Sequence, residues 1–142
     1  MTTTDSNKPF RVLPRVTDAN RHYWTGGADG ELRVLRCQQC RYWIHPPTSV
    51  CPQCLSKEVA PEATTGTGTV ASYTINHQPW YPGLDPPYVI AMVELDDQPE
   101  TRITTNIVGC AVDDVRIGMD VQVVFEQYDD VWLPFFAPAN AT

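Results

Sequence analysis

Cys37-Gln38-Gln39-Cys40 and Cys51-Pro52-Gln53-Cys54 decide how this chain is read. Each C-x2-C pair forms a knuckle that presents two thiolates to one ion, and ten residues separate the pairs. Two knuckles complete a tetrahedral four-sulfur site with Zn–S distances of about 2.3 Å. Protein thiolates fill every position, leaving none for water or substrate, so the expected metal is structural. Disulfides are disfavoured without a secretion leader, and unrelated free thiols rarely occur as two matched pairs. Iron fits the same cage and would make a rubredoxin-like electron carrier. Arg41 and Leu55 follow the knuckles where glycine would allow close backbone approach to the sulfurs, which favours zinc. The fifth cysteine, Cys110, has no cationic neighbour in sequence and reads as a small buried hydrophobe.

On the N-terminal side, Thr17 or Asp18 can cap a short helix over 19–24, with Gly26-Gly27 stopping it. A strand follows over 31–36, with Leu32, Val34 and Cys37 expected on one side. Beyond the cysteines the pattern is β: segments 69–77, 88–95, 101–108, 121–126 and 131–136 read as strands, with one helical turn at 113–116 before the fourth. The fold class is therefore mainly β: a short N-terminal helix, a four-cysteine zinc ribbon, then a five-stranded OB-type barrel. A five-stranded sandwich fits the pattern nearly as well. The expected boundaries are 1–30 for leader and helix, 31–62 for the ribbon, 63–138 for the barrel and 139–142 for a tail.

The 142 residues are 42% hydrophobic and 19% charged, a globular composition long enough to need no disulfide scaffold. Thirteen prolines favour short strands joined by stiff loops. The net charge of -7 divides unevenly. Residues 1–60 carry eight basic groups against five acidic ones, a balance of +3, whereas Arg102 and Arg116 face twelve carboxylates in 61–142, a balance of -10. That step suggests two modules facing different partners. It argues against a nucleic-acid grip by the barrel half. The first fourteen residues hold no apolar run of signal-peptide length, and the longest apolar stretch, Val89–Val93, is five residues. A soluble, cytoplasmic protein without a membrane span is expected.

No catalytic constellation emerges. His22 and His77 have no nucleophile at a recognisable spacing, and His45 reads as a loop residue beside four sufficient thiolates. Asp96-Asp97, Asp113-Asp114 and Asp129-Asp130 sit at turns. The loop 78–87 differs in kind: four prolines stiffen it around Trp80 and Tyr81. Both rings suit an interface anchor or pocket wall, or equally a cover folded over one end of the barrel.

Taken together, Tyr23-Trp24, the four-cysteine ribbon, Gly66-Thr67-Gly68-Thr69-Val70-Ala71-Ser72-Tyr73-Thr74, Pro87-Tyr88-Val89-Ile90-Ala91, Asn106-Ile107-Val108-Gly109-Cys110, Asp114-Val115-Arg116-Ile117-Gly118-Met119 and Leu133-Pro134-Phe135-Phe136 carry a family resemblance. Over roughly 18–138 the chain resembles the acyl-CoA-associated OB-fold family with a rubredoxin-like zinc ribbon. The resemblance implies a non-catalytic subunit that forms a hetero-oligomer with a thiolase-fold enzyme. Its specific expectation is a steroid side-chain retro-aldolase complex. Multi-component acyltransferases and thiolase/hydroxymethylglutaryl-CoA synthase assemblies are the alternatives. It implies zinc on Cys37, Cys40, Cys51 and Cys54, and a CoA thioester shared with the partner. Arg33, Arg36 and Arg41 are then expected to face partner carboxylates or CoA phosphates, with Trp80 and Tyr81 completing the substrate channel. A single-stranded nucleic-acid module and a rubredoxin-like carrier remain competing functions.

Overall fold

The computed structural model describes residues 8–139; the start of the expected leader and the end of the expected tail lie outside them. A helix α1 (Arg21–Thr25) and a 3-10 turn (Gly26–Asp29) precede a three-stranded sheet of order β2-β1-β3, formed by β1 (Arg33–Cys37), β2 (Trp43–Ile44) and β3 (Val59–Ala63). Five further strands follow: β4 (Thr67–Asn76), β5 (Tyr88–Leu95), β6 (Arg102–Ile107), β7 (Asp120–Tyr128) and β8 (Val131–Pro138). They close in the order β4-β5-β6-β8-β7, with β6 and β8 parallel at Ile107 and Phe136. A closed barrel excludes the sandwich, and the 3-10 turn Val112–Asp114 stands before its fourth strand as the sequence suggests.

Inward residues of every barrel strand meet in one core: Val70, Val89, Val93, Ile103, Val121 and Phe136 are each at most 1% exposed. The expected alternation along β4 breaks at a bulge between Val70 and Ser72, which swaps the inward set from Gly68 and Val70 to Ile75. The ribbon is not a separate bead. Leu32, Val34 and Trp43 are buried in the barrel core, whereas Leu35 and Cys37 belong to a second, smaller cluster with Ile44 and Cys51. Cys37 therefore shares a face with Leu35, not with Val34 as the sequence reading had it. In an extended strand Val34 and Cys37, three apart, must point to opposite sides. Strand β3 escaped that reading because Pro61 sits in it; pairing with β1 from Arg33–Ala63 to Cys37–Val59 makes it nonetheless.

The junction has its own clamp. Gln98, in the β5–β6 turn, accepts from the Trp43 N–H at 3.0 Å and donates to the Trp43 carbonyl at 2.8 Å. Its amide thus pairs with the free edge of β2 as a strand would.

The helix begins later than expected. Asn20 is the N-cap residue, and its side chain accepts from the Thr17 N–H at 2.7 Å instead of Thr17 or Asp18 capping the helix. The α-helix does end at Gly26, its C-cap, and Gly26 and Gly27 carry the chain on as the 3-10 turn, which ends at Gly30 in the left-handed region (φ 70°). They are glycines for another reason: close approach. A Cβ on Gly27 would overlap Trp132 and lie 2.7 Å from the Phe125 ring, on the β7–β8 hairpin. Gly27→Ala must push the turn off that hairpin, at a cost of about 1–3 kcal/mol. Thermal unfolding should show a melting point several degrees lower, and an unchanged value would contradict this packing.

Candidate functional site

The knuckles are two copies of one backbone design. Arg41 N–H reaches Cys37 O at 3.1 Å, and Leu55 N–H reaches Cys51 O at 2.9 Å. The leading cysteines donate in the same way, Cys37 to Tyr42 O and Cys51 to Ser56 O, each at 2.9 Å. Closing each turn forces the residue after it into the left-handed region: Arg41 has φ 71° and Leu55 φ 65°. Neither is glycine, and only the surrounding structure holds them there. Gln39 and Cys40 N–H groups point at Cys37 Sγ at 3.4 Å, and Gln53 N–H points at Cys51 Sγ at the same distance.

All four sulfurs lie within 4.8 Å of one another, with Cys37–Cys54 at 3.5 Å and Cys40–Cys51 at 3.6 Å. A tetrahedron of 2.3 Å zinc–sulfur bonds has edges of about 3.8 Å. Converging thiols of this spacing fit a tetrathiolate zinc ion, and the N–H groups would support its charge. The Cys40 N–H, helped by that of Gln39, draws the Cys37 thiol down to about 6 despite its burial. Cys37 and Cys51 are buried, Cys40 and Cys54 exposed, so the site opens to solvent along one edge. Cys110 is remote from it; burial, then Asp114, raises its pKa, and it packs against the barrel core.

The arginines expected to reach outward are held by this chain's own carboxylates. Arg33 pairs with Asp29 at 2.6 Å and Glu31 at 2.8 Å. Arg36 lies over the Trp43 ring at 4.2 Å and donates to Arg41 O at 2.7 Å, and both Arg36 and Arg41 meet Glu62, at 3.4 and 2.9 Å. Glu62 carries no sequence signal, because it sits in the strand that Pro61 disguised. Gln38 first, then the two arginines, hold its carboxyl below the usual range. Arg41 keeps the most open side chain of the three, 48% exposed.

Trp80 and Tyr81 do not fold over the barrel end. Both stand exposed, Trp80 donating its indole N–H to Asn76 at 2.9 Å, Tyr81 packing on Phe10 with ring centroids 5.6 Å apart. The sequence showed no sign of that neighbour. Residues 8–16 return along the barrel as a strap, pinned where Arg11 meets Asn106 at 2.9 Å and Glu126 at 3.2 Å, and where Tyr128 donates to Pro9 O at 2.7 Å.

His45 joins the ribbon to the helix. Its ring stacks on Tyr23 at 4.9 Å, and its Nδ1 and the Nε2 of His22 are buried without a partner.

Two family models match: the rubredoxin-like zinc ribbon domain of ChsH2 over residues 24–60, and the C-terminal OB-fold domain of ChsH2 over 62–126. This chain belongs to the ChsH2 family. It is 35% identical over 126 residues to a DUF35 domain-containing scaffold protein of Methanothermobacter thermautotrophicus, covering 87% of this chain and 84% of that one. A probable enoyl-CoA hydratase alpha subunit of Thermomonospora curvata is 36% identical over 138 residues; the match takes in 96% of this chain but 43% of that longer protein. Among solved structures, a chain of an Ltp2-ChsH2(DUF35) aldolase superposes with a TM-score of 0.80 at 36% identity, covering 89% of this chain and 99% of its own length. The chain is thus a ChsH2-type zinc ribbon fused to an OB barrel, and the four clustered cysteines of that ribbon could hold one metal ion, which supports a structural zinc. No helix among the described residues is long and apolar enough to cross a membrane.

Two outcomes follow from this geometry. Native mass spectrometry should find one zinc per chain. Cys51→Ser should lose it and the order of the ribbon with it, since structural zinc contributes about 10–16 kcal/mol to such modules; full zinc retention in the variant would contradict the four-thiolate site. The second concerns acid. Burial lowers the pKa of His45 to about 4, with the His22 imidazolium adding repulsion, and burial with Arg33 nearby lowers His22 as well. The unfolded chain therefore binds more protons between pH 6.5 and 4. Stability is full above 6.5 and falls by up to about 1.4 kcal/mol per pH unit below it, on the order of 3 kcal/mol in all. His45→Phe keeps a ring on Tyr23 and removes the titration. Denaturant unfolding should give it the shallower acid limb; equal slopes for both proteins would refute the buried, neutral imidazole.

Proposed function

We propose that this chain is the non-catalytic accessory subunit of a thiolase-fold enzyme acting on acyl-CoA, specifically of a steroid side-chain retro-aldolase. The observation that carries this reading is the likeness, at a TM-score of 0.80, to a chain of an Ltp2-ChsH2(DUF35) aldolase, whose length it matches almost end to end. A 3-oxo-4,17-pregnadiene-20-carboxyl-CoA hydratase alpha subunit of Mycobacterium tuberculosis, 32% identical over 126 residues, supports a steroid thioester as substrate. That match spans 40% of the longer protein. The zinc site supports a non-catalytic role, since four thiolates saturate the metal and leave no open coordination position. The chemistry belongs to the partner, and both act in the cytoplasm. Arg41, with the largest open face of the ribbon arginines, is the first choice for a partner carboxylate or a CoA phosphate, behind it Arg33 and Arg36.

A second reading has its own support. The archaeal relatives of Methanothermobacter thermautotrophicus and Methanocaldococcus jannaschii, the latter 38% identical over 95 residues, are named as scaffold proteins, which suits a thiolase/synthase or acyltransferase assembly.

Co-expression with a thiolase-like chain encoded beside it decides between these and a solitary role. The pair should co-elute at moderate salt and cleave a β-hydroxyacyl-CoA of the steroid type, while neither chain does so alone. Separate elution, or cleavage by this chain by itself, would overturn the proposal.

A further inference from the structure

Nine large hydrophobic side chains stand exposed among the described residues, and five of them meet around one groove. Phe10, Val12 and Leu13 come from the strap, Tyr81 from the proline-rich loop, and Ile90 from the outer face of β5. They are 37–64% exposed. Val12, Leu13, Tyr81 and Ile90 line one groove of about 540 Å³, and Phe10 packs on Tyr81. Such a cluster is larger than the scattered apolar residues of an ordinary monomer surface.

The position in the barrel matters as much as the composition. The groove floor is formed by outward residues of the second and third barrel strands, Tyr88 and Ile90 of β5 with Thr104 and Asn106 of β6, and one wall by the loop between the first and second strands. In OB barrels that face and that loop are where ligands bind. The groove's other side is made by Leu133 and Phe135 of β8 and by Trp24, where β8 is already covered: Val131, Leu133 and Phe135 lie under Val16 and Trp24. The apolar surface therefore continues from a covered half to an open half of the same barrel wall.

Charge selects among occupants. Among the described residues Arg11 is the one cation lining the groove, and it is 10% exposed, tied to Glu126 and Asn106 and seated on the Phe135 ring at 4.3 Å. The described residues thus offer no free cation there for a phosphate backbone, which a nucleic-acid groove requires. A second copy would set two barrel halves of balance -10 against each other. The occupant must be apolar at its centre and neutral or basic around it. At roughly 100 Å² of exposed surface each, the five side chains offer on the order of 500 Å², more than half of the ~800 Å² each partner contributes to a standard stable interface.

We infer that the face made by the strap, the 78–87 loop and the outer side of β5 is the surface by which this chain docks on its thiolase-fold partner, through an apolar patch of that partner with a neutral or basic rim. The inference rests on the accessory-subunit reading and adds the surface that performs it. Val12, Leu13 and Tyr81 are its anchors.

The test measures affinity for the thiolase-like chain, by calorimetry or interferometry, for the full chain and three variants: Val12→Asp with Leu13→Asp, Tyr81→Ser, and Ile117→Asp as a control that is exposed but lines no part of the groove. All replaced residues are surface residues, and melting temperature with zinc content verifies the fold. The two groove variants should raise Kd by about tenfold or more, as loss of interface anchors does, with the control unchanged. Groove variants that bind like the unaltered chain would overturn the surface while leaving the accessory function standing. Failure of the unaltered chain itself to bind would sink both. Two other results also overturn the surface: a dimer of this chain abolished by the groove variants, or single-stranded RNA competing for the groove.

Discussion

The structure depends on what strand β1 does with its two faces. Leu35 and Cys37 turn toward the metal-binding cluster, while Val34, with Leu32 just ahead of the strand, turns into the barrel core. The zinc site is thereby coupled to the barrel through five residues, Arg33–Cys37. The ribbon cluster itself has four buried residues, two of them cysteines of the four-sulfur group, far too few to hold a module together by hydrophobic burial. Metal binding supplies what the core lacks, and the barrel supplies a platform that fixes the ribbon's orientation. Gln98 completes the join from the barrel side by pairing with the backbone of Trp43.

Electrostatics follow the same economy of shared parts. The basic surplus of residues 1–60 is largely consumed inside the fold: Arg33 by Asp29 and Glu31, Arg36 and Arg41 by Glu62, Arg11 by Glu126. Two of those partners, Glu62 and Glu126, belong to the acidic half. The charge step along the sequence is thus partly folded away, and what remains exposed on the groove side is apolar surface. Recognition there is a matter of shape and burial, with charge at the rim acting on rate and selectivity.

Much of this was legible in the residues. The cysteine spacing is a local signal, and the metal's geometry leaves little freedom in what it implies. The five barrel strands announce themselves because alternation and turn residues are also local. Three features escaped for physical reasons. Whether Cys37 faces with Val34 or Leu35 is a question of parity that a strand answers only once its register is set. Strand β3 was hidden by Pro61, since edge pairing tolerates a residue that pattern reading treats as a breaker. The strap's return to the barrel rests on contacts such as Arg11 to Asn106, 95 positions apart, and no pattern in residues 8–16 reports them. The loop 78–87 stands out in the sequence, but only the fold shows that Phe10, Val12 and Leu13 join its Tyr81.

The account stands first on the tetrathiolate that anchors β1. X-ray absorption at the zinc edge of the purified protein tests it most directly. Four sulfur scatterers at about 2.3 Å with no nitrogen or oxygen in the shell is the predicted result. A mixed shell, or iron in place of zinc, would contradict it.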